Sequence, residues 1–268
     1  MIRLVDMHCH LDRIADPQIT AYQLAERGIA VFCTTVTPEE ARVARDSLAA
    51  FPMVRVGVGL HPWWVSSGSC GENGPELAAW LTDTTDYVGE VGLDFSSEYS
   101  ESKDAQVEAF EAIIRTCAEH PREGRVISIH AVRSAATVLD ILERHGMPEQ
   151  THCIFHWFSG TSDDLARLRA LGCYISVNEH MLATKRGREY ARQIPLGQLL
   201  IETDAPPQLD APYSATCAVS PQTSSRLPLP PPVRACSGCR AQISLTPHSP
   251  THIVRCVRRL HARNTLEE

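Results

Sequence analysis

Eight short apolar runs, each followed by a helical pattern, fill the first 207 residues and limit the fold more than any other feature. They lie near residues 3–7, 30–36, 53–59, 86–91, 125–129, 152–156, 172–177 and 198–203. Val, Ile, Phe and Tyr dominate them with little polar alternation, as in parallel strands covered on both faces. Thr37-Pro38-Glu39-Glu40 reads as an N-cap, an N1 proline and a capping-box glutamate, opening a helix to Ala50. Lys103–His120 carries a helical stripe of Val107, Phe110, Ile113, Ile114 and Cys117. Further helical patterns run through Thr137–Leu142, with Gly146 as the stop, and from Ser162 to near Gly172. This alternation predicts a (β/α)8 TIM barrel; a doubly wound open sheet is the alternative.

From Pro207 onward the alternation stops. This stretch holds nine of the 18 prolines, and Pro228-Leu229-Pro230-Pro231-Pro232 excludes helix interior and central strand. We divide the chain into a barrel over 1–207 and an atypical proline- and arginine-rich tail over 208–268. Within the tail, Ser249-Pro250 reads as the cap of one terminal helix. The tail has seven arginines and three acids, whereas the body has 18 bases and 29 acids, a net charge of −11. Such a body repels polyanions, so any phosphate chemistry needs bound cations or local arginines. Ten cysteines are scattered along the chain, and Cys33, Cys153 and Cys173 sit in apolar runs. With no secretory signal and no membrane span visible, reduced thiols in a cytoplasmic protein are expected. Cys236-Ser237-Gly238-Cys239 with His248 and His252 imitates a zinc finger, but the gap of eight residues is too short.

Ligand-type residues fall at the ends of the strand-like runs. Leu4-Val5 leads into Asp6-Met7-His8-Cys9-His10, where alternation puts His8 and His10 on one face and Cys9 on the other. Asp6 shares the parity of the histidines, as a residue orienting an imidazole or as a buried structural acid. Glu90, His130 and His156 end the fourth, fifth and sixth runs, and Glu202-Thr203-Asp204 ends the eighth. In a barrel these ends meet at one mouth. Four imidazoles and two carboxylates there can hold two divalent cations, zinc, manganese or magnesium, with a carboxylate such as Glu90 bridging them. Two such ions activate a shared water and neutralise an attacked phosphate. Arg133 and Lys185, just past the fifth and seventh runs, are candidate phosphate contacts or ordinary solvated charges. Trp63 and Trp64 are read as loop packing rather than as a base-stacking surface.

Asp6-Met7-His8-Cys9-His10-Leu11, Gly59-Leu60-His61-Pro62, Gly89-Glu90-Val91-Gly92-Leu93-Asp94, Ile129-His130, His156-Trp157-Phe158-Ser159-Gly160 and Glu202-Thr203-Asp204-Ala205-Pro206 resemble the TatD family of metal-dependent deoxyribonucleases. The resemblance covers about residues 3–207, with the motifs in family order. It implies a metallo-dependent-hydrolase TIM barrel acting on DNA, typically as an exonuclease, here of 3'-5' type. By the same resemblance, His8, His10, Glu90 and Asp204 would bind one metal, and Glu90, His130 and His156 the other. Asp204 would also orient or deprotonate water, and His61 would contact a substrate phosphate. The texture of His8-Cys9-His10-Leu11-Asp12, of His156-Trp157-Phe158-Ser159-Gly160, and of Met181-Leu182 near Lys185 is similar to the TatD-like nuclease of Qat anti-phage defence operons. That would imply antiviral defence beside other Qat proteins. The proline-rich tail departs from the family and puts its closing helix in doubt.

Two other functions compete. An amidohydrolase-type enzyme acting on a small C–N or ester substrate would share the barrel and the His-x-His. Many of those sites bridge their metals with a modified lysine, whereas this chain has only Lys103 and Lys185 and carries Glu90 on the fourth run. A non-catalytic subunit of a defence complex is the other possibility; the full set of ligand-type residues weighs against it.

Overall fold

A computed structural model describes residues 2–68, 74–147 and 151–206. The tail over 208–268, with its anticipated helix and finger-like cysteines, lies outside the described residues.

Eight strands form a single parallel sheet in sequential order. They are β1 (Leu4–Cys9), β2 (Ile29–Thr34), β3 (Val54–Leu60), β4 (Tyr87–Asp94), β5 (Arg125–Val132), β6 (Thr151–His156), β7 (Tyr174–Val177) and β8 (Leu199–Ile201). The longer helices between them are α1 (Pro17–Glu26), α2 (Pro38–Leu48), α3 (Pro62–Ser67), α4 (Gly74–Asp83), α5 (Lys103–Glu119), α6 (Ala135–Arg144) and α7 (Ser162–Ala170). The last two are α8 (Glu179–Ala183) and α9 (Lys185–Gln193). The result is a nearly closed TIM barrel, as the alternation predicted.

Helices begin where the local chemistry allows. Thr37 Oγ1 accepts from Glu40 N at 3.2 Å, and a full capping box of Thr161 and Asp164 opens α7. Gly146, at φ 66°, lies just past α6 as anticipated. Trp63 and Trp64 do not lie in a loop. His61 accepts from Trp63 N and caps α3, with Pro62 as its first residue.

Outside the sheet, Val91, Leu93, Ile127, Ile129 and Phe155 pack on Phe110, Ile113, Ile114, Leu139 and Leu142 of the helices. Each such buried side chain contributes roughly 1.5–3 kcal/mol. Val5, Met7, Phe32, Val126, Ile154 and Leu200 form a second cluster that fills the barrel interior.

Two irregularities decide which side chains enter that interior. Val88 pairs with Ile127, but Glu90 pairs with the next residue, Ser128. β4 therefore carries one extra residue, a bulge that reverses its alternation. Val88 and Ile127 face the helices, so strict alternation would turn Glu90 outward too; the bulge turns it into the barrel. Gly89 makes this possible, because a Cβ there would lie 2.8 Å from Thr35 O and 2.9 Å from Gly57 O. In β1, Asp6 pairs with Val31 and Cys9 with Cys33, so β1 advances three residues against two. Asp6 therefore does not share the face of His8 and His10, contrary to the simple parity reading. Cys9 does face the helices, packed with Cys33, Ala21 and Ala44.

Candidate metal centre

All eight strands run the same way, so their C-terminal ends share one rim. The β1–β8 seam closes there through two backbone hydrogen bonds, Asp204 N to His8 O at 2.9 Å and His10 N to Ala205 O at 2.8 Å. Asp6 latches the same seam. Its carboxylate accepts from Thr203 N at 3.0 Å, Thr203 Oγ1 at 2.6 Å and His8 N at 3.3 Å. Asp204 is thereby held beside His8 and His10, with a left-handed φ of 54°. Arg133 and Trp157, the other non-glycine residues of positive φ among those described, follow β5 and β6 at the same rim. Strain of this kind concentrates at functional sites.

Glu90, 1% exposed, lies at the centre. Its two oxygens face different groups. Oε2 is 3.3 Å from His10 Nε2 and 3.6 Å from His8 Nε2, and Asp204 Oδ1 is 3.5 Å from both imidazoles. Oε1 is 2.9 Å from His156 Nε2, 3.1 Å from His130 Nδ1 and 3.2 Å from His61 Nε2. His8 stacks on His156 with centroids 3.9 Å apart, so the two halves adjoin.

Tautomers follow from the outer hydrogen bonds. In the neutral ring, His10 Nδ1 donates to Thr34 O at 2.6 Å and Nε2 is left as an acceptor. That atom nonetheless faces Glu90 Oε2, Asp204 Oδ1 and, at 3.2 Å, His8 Nε2. His130 repeats the pattern: Nε2 is turned to Asp94 Oδ2 at 3.3 Å, so Nδ1 faces Glu90 Oε1 and His156 Nε2 as a lone pair. Glu90 Oε2 and His156 Nδ1 are buried without a hydrogen bond. Buried acceptors facing acceptors are costly unless a cation lies between them, so the donor set fits divalent metal ions. His61 differs. Its Nδ1 accepts from Trp63 N, so Nε2 carries the proton; that atom lies 3.2 Å from Glu90 Oε1 without forming a hydrogen bond.

Electrostatics agree. Burial opposes ionisation of Glu90, but His61, His156, His8 and His10 hold its carboxyl well below the usual range. Burial opposes charge on His10 as well, yet Asp204 and Glu90 raise it to about 10, so these carboxylates stabilise a positive charge at Nε2, whether a proton or a metal ion supplies it. Burial lowers His8 and His61 to about 4, so both are neutral and the former is available as a ligand. Burial raises Glu202 to about 8, against the His156 charge and the Ser176 hydrogen bond.

The structure brings His8, His10, Glu90, His130, His156 and Asp204 together. His61 joins them but is fully buried, with Glu90 rather than solvent in reach. Arg133 and Lys185 are exposed, the first directly after β5 and the second opening α9. Neither is hydrogen-bonded to the cluster among the described residues.

Several supporting residues surround the cluster. Ser128 Oγ meets His8 Nδ1 at 2.7 Å, and Trp63 Nε1 donates to Asp94 Oδ2 at 2.7 Å, behind His130. Glu202 accepts from Asn178 Nδ2 at 2.9 Å, Trp157 N at 3.2 Å and Ser176 Oγ. Two of these carried a signal: Glu202 shares the parity of Asp204 and reads from sequence as a residue orienting an imidazole or as a buried structural acid, and Asp94 shares the parity of Glu90 beyond the bulge.

Known proteins resemble this chain in sequence and in fold. A family profile described as TatD related DNase matches residues 5–226. The chain is 34% identical to the 3'-5' ssDNA/RNA exonuclease TatD of Edwardsiella piscicida over 122 residues, 44% of this chain and 45% of that protein. This match spans less than half of that relative. It is 31% identical to the 3'-5' ssDNA/RNA exonuclease TatD of Yersinia pseudotuberculosis over 188 residues, 68% of this chain and 70% of that one. A TatD homologue from Escherichia coli K12 superposes with a TM-score of 0.66 at 21% identity, covering 95% of this chain and 87% of that chain. That structural likeness speaks for the fold alone. With a profile matching most of its length, the chain belongs to the TatD-related DNase family.

Proposed function

We propose that this metal-dependent hydrolase cleaves DNA phosphodiesters as an exonuclease, using two divalent ions held at the barrel mouth. The divided environment of the two Glu90 oxygens carries the reading. His8, His10, Asp204 and Glu90 Oε2 would hold one ion; His130, His156 and Glu90 Oε1 the other. Bound there, the ions would supply an acidified water and neutralise phosphate charge, which the body, at −11, otherwise repels. Asp204 is the ligand best placed to take a proton, because its side chain is 15% exposed while Glu90 is sealed. His61, fully buried and 3.2 Å from Glu90 Oε1, packs against the bridging carboxylate, a position that favours a supporting role over the phosphate contact implied by resemblance. Arg133, exposed at the rim, is the better phosphate contact, with Lys185 beyond it.

The names of the relatives support single-stranded substrates and 3'-5' polarity. Among the described residues no helix is long and apolar enough to cross a membrane. The loop texture shared with the Qat-operon nuclease supports a role in anti-phage defence beside Qat proteins. Phage plating with and without the Asp204→Asn variant tests that role.

The direct test is hydrolysis of end-labelled single- and double-stranded DNA with Mn2+ or Mg2+. The native protein should shorten strands from one end. Asp204→Asn should lower turnover by about 100-fold or more, the scale of a lost general base. Equal turnover in the variant would reject the assignment.

A further inference from the structure

Trp157 is a bulky residue in a conformation that such residues avoid, with φ 40°. Two acceptors hold it there. Its backbone N–H is shared between Ser176 O and Glu202 Oε1, each at 3.2 Å. Glu202 is itself fixed by Asn178 Nδ2 at 2.9 Å. The consequence is outward: the indole is 37% exposed and stacks on the exposed His180 of α8, with centroids 5.4 Å apart and planes 15° from parallel. The residue before it, His156, places Nε2 2.9 Å from Glu90 Oε1. Trp157 is therefore adjacent along the chain to the candidate metal centre, and His180 is stacked on it.

The other aromatic group at the rim is already committed. Trp63 donates its Nε1–H to Asp94 and lies between Trp64, at 6.5 Å, and Tyr99, at 5.2 Å. It packs α3 and supports His130. Trp157 carries the strain and exposure without such a packing role.

We propose that Trp157 and His180 form a stacking platform for an unpaired nucleobase, positioning the nucleotide whose phosphate enters the metal centre. The inference rests on the phosphodiesterase reading above. Stacking uses the π-face that every base has, so the platform tolerates sequence but rejects a base still held in a duplex. Trp157 is on this view a substrate-positioning residue.

The test measures binding rather than turnover. Fluorescence anisotropy follows a labelled single-stranded oligonucleotide on full-length Asp204→Asn protein with Mg2+. A matched strand carries abasic residues at the three nucleotides of each end. The abasic strand should bind about tenfold more weakly, the low end of one base–aromatic stack. Adding Trp157→Ala should weaken the base-bearing strand by a similar factor and bring the two strands within about twofold of each other. Trp157→Phe should restore most of the difference. His180→Ala, which leaves the strained β6 terminus intact, should reduce it without changing metal content. A full abasic penalty in both Trp157→Ala and His180→Ala overturns the platform. Hydrolysis of end-labelled DNA with that unchanged penalty leaves the phosphodiesterase reading standing. Base-dependent binding without hydrolysis rejects that reading and keeps the platform. No binding to either strand rejects both.

Discussion

Replacing Asp6 by alanine removes the acceptor for three donors at once: Thr203 N, Thr203 Oγ1 and His8 N. Two are backbone groups at the β1–β8 seam, where a pair of hydrogen bonds replaces a regular ladder. A buried donor left without a partner costs about 1–3 kcal/mol, and water entering the vacated space favours the lower figure. The expected loss is therefore about 3 kcal/mol, or roughly 6–12 °C in Tm for a domain of this size. Asp6→Asn separates geometry from charge. Burial raises the Asp6 pKa to about 6 despite the Thr203 hydrogen bonds, so the negative charge itself does not stabilise the fold. Asparagine keeps the volume and Oδ1, and its amide can donate to the Thr203 hydroxyl, which rotates to accept. It should lie within about 1 kcal/mol of native, with metal content retained. Thermal unfolding and elemental analysis of native, Asp6→Ala and Asp6→Asn proteins decide the matter. If Asp6→Asn falls as far as Asp6→Ala, the carboxylate acts through its charge on the metal centre, and the seam argument is wrong.

Ser128→Ala should cost about 10–100-fold in metal affinity by freeing the His8 ring, measured by competition with a chelating dye; unchanged affinity would show that His8 is oriented by other contacts. Gly92 has φ 141°, and a Cβ there would stand 2.0 Å from His130 O, so Gly92→Ala should lose about 3 kcal/mol or more. An unchanged denaturation midpoint would contradict that. Metal ions at 100 times their Kd should stabilise the chelator-treated protein by about 2.7 kcal/mol, or roughly 5–11 °C. Superimposable melting curves with and without Mn2+ would argue against the cation-shaped cluster.

The β/α alternation was legible because parallel strands covered on both faces need continuous apolar runs, and such runs end where the chain turns at the rim. His8, His10, Glu90, His130, His156 and Asp204 all lie at such ends, so their convergence follows from topology alone. Their orientation does not. Glu90 enters the barrel only because β4 carries an extra residue against β5, and alternation counted from Val88 would have turned it outward. Asp6 failed the same count for the same reason, a register step that depends on the neighbouring strand. His61 looked like a rim residue because its motif stands at a strand end. Its ring nitrogen instead caps α3, a bond between atoms whose geometry no motif specifies. Residue type and strand position thus settled which side chains reach the mouth. Register, seam closure and tautomer, which depend on pairings between distant segments, settled which of them face one another as lone pairs.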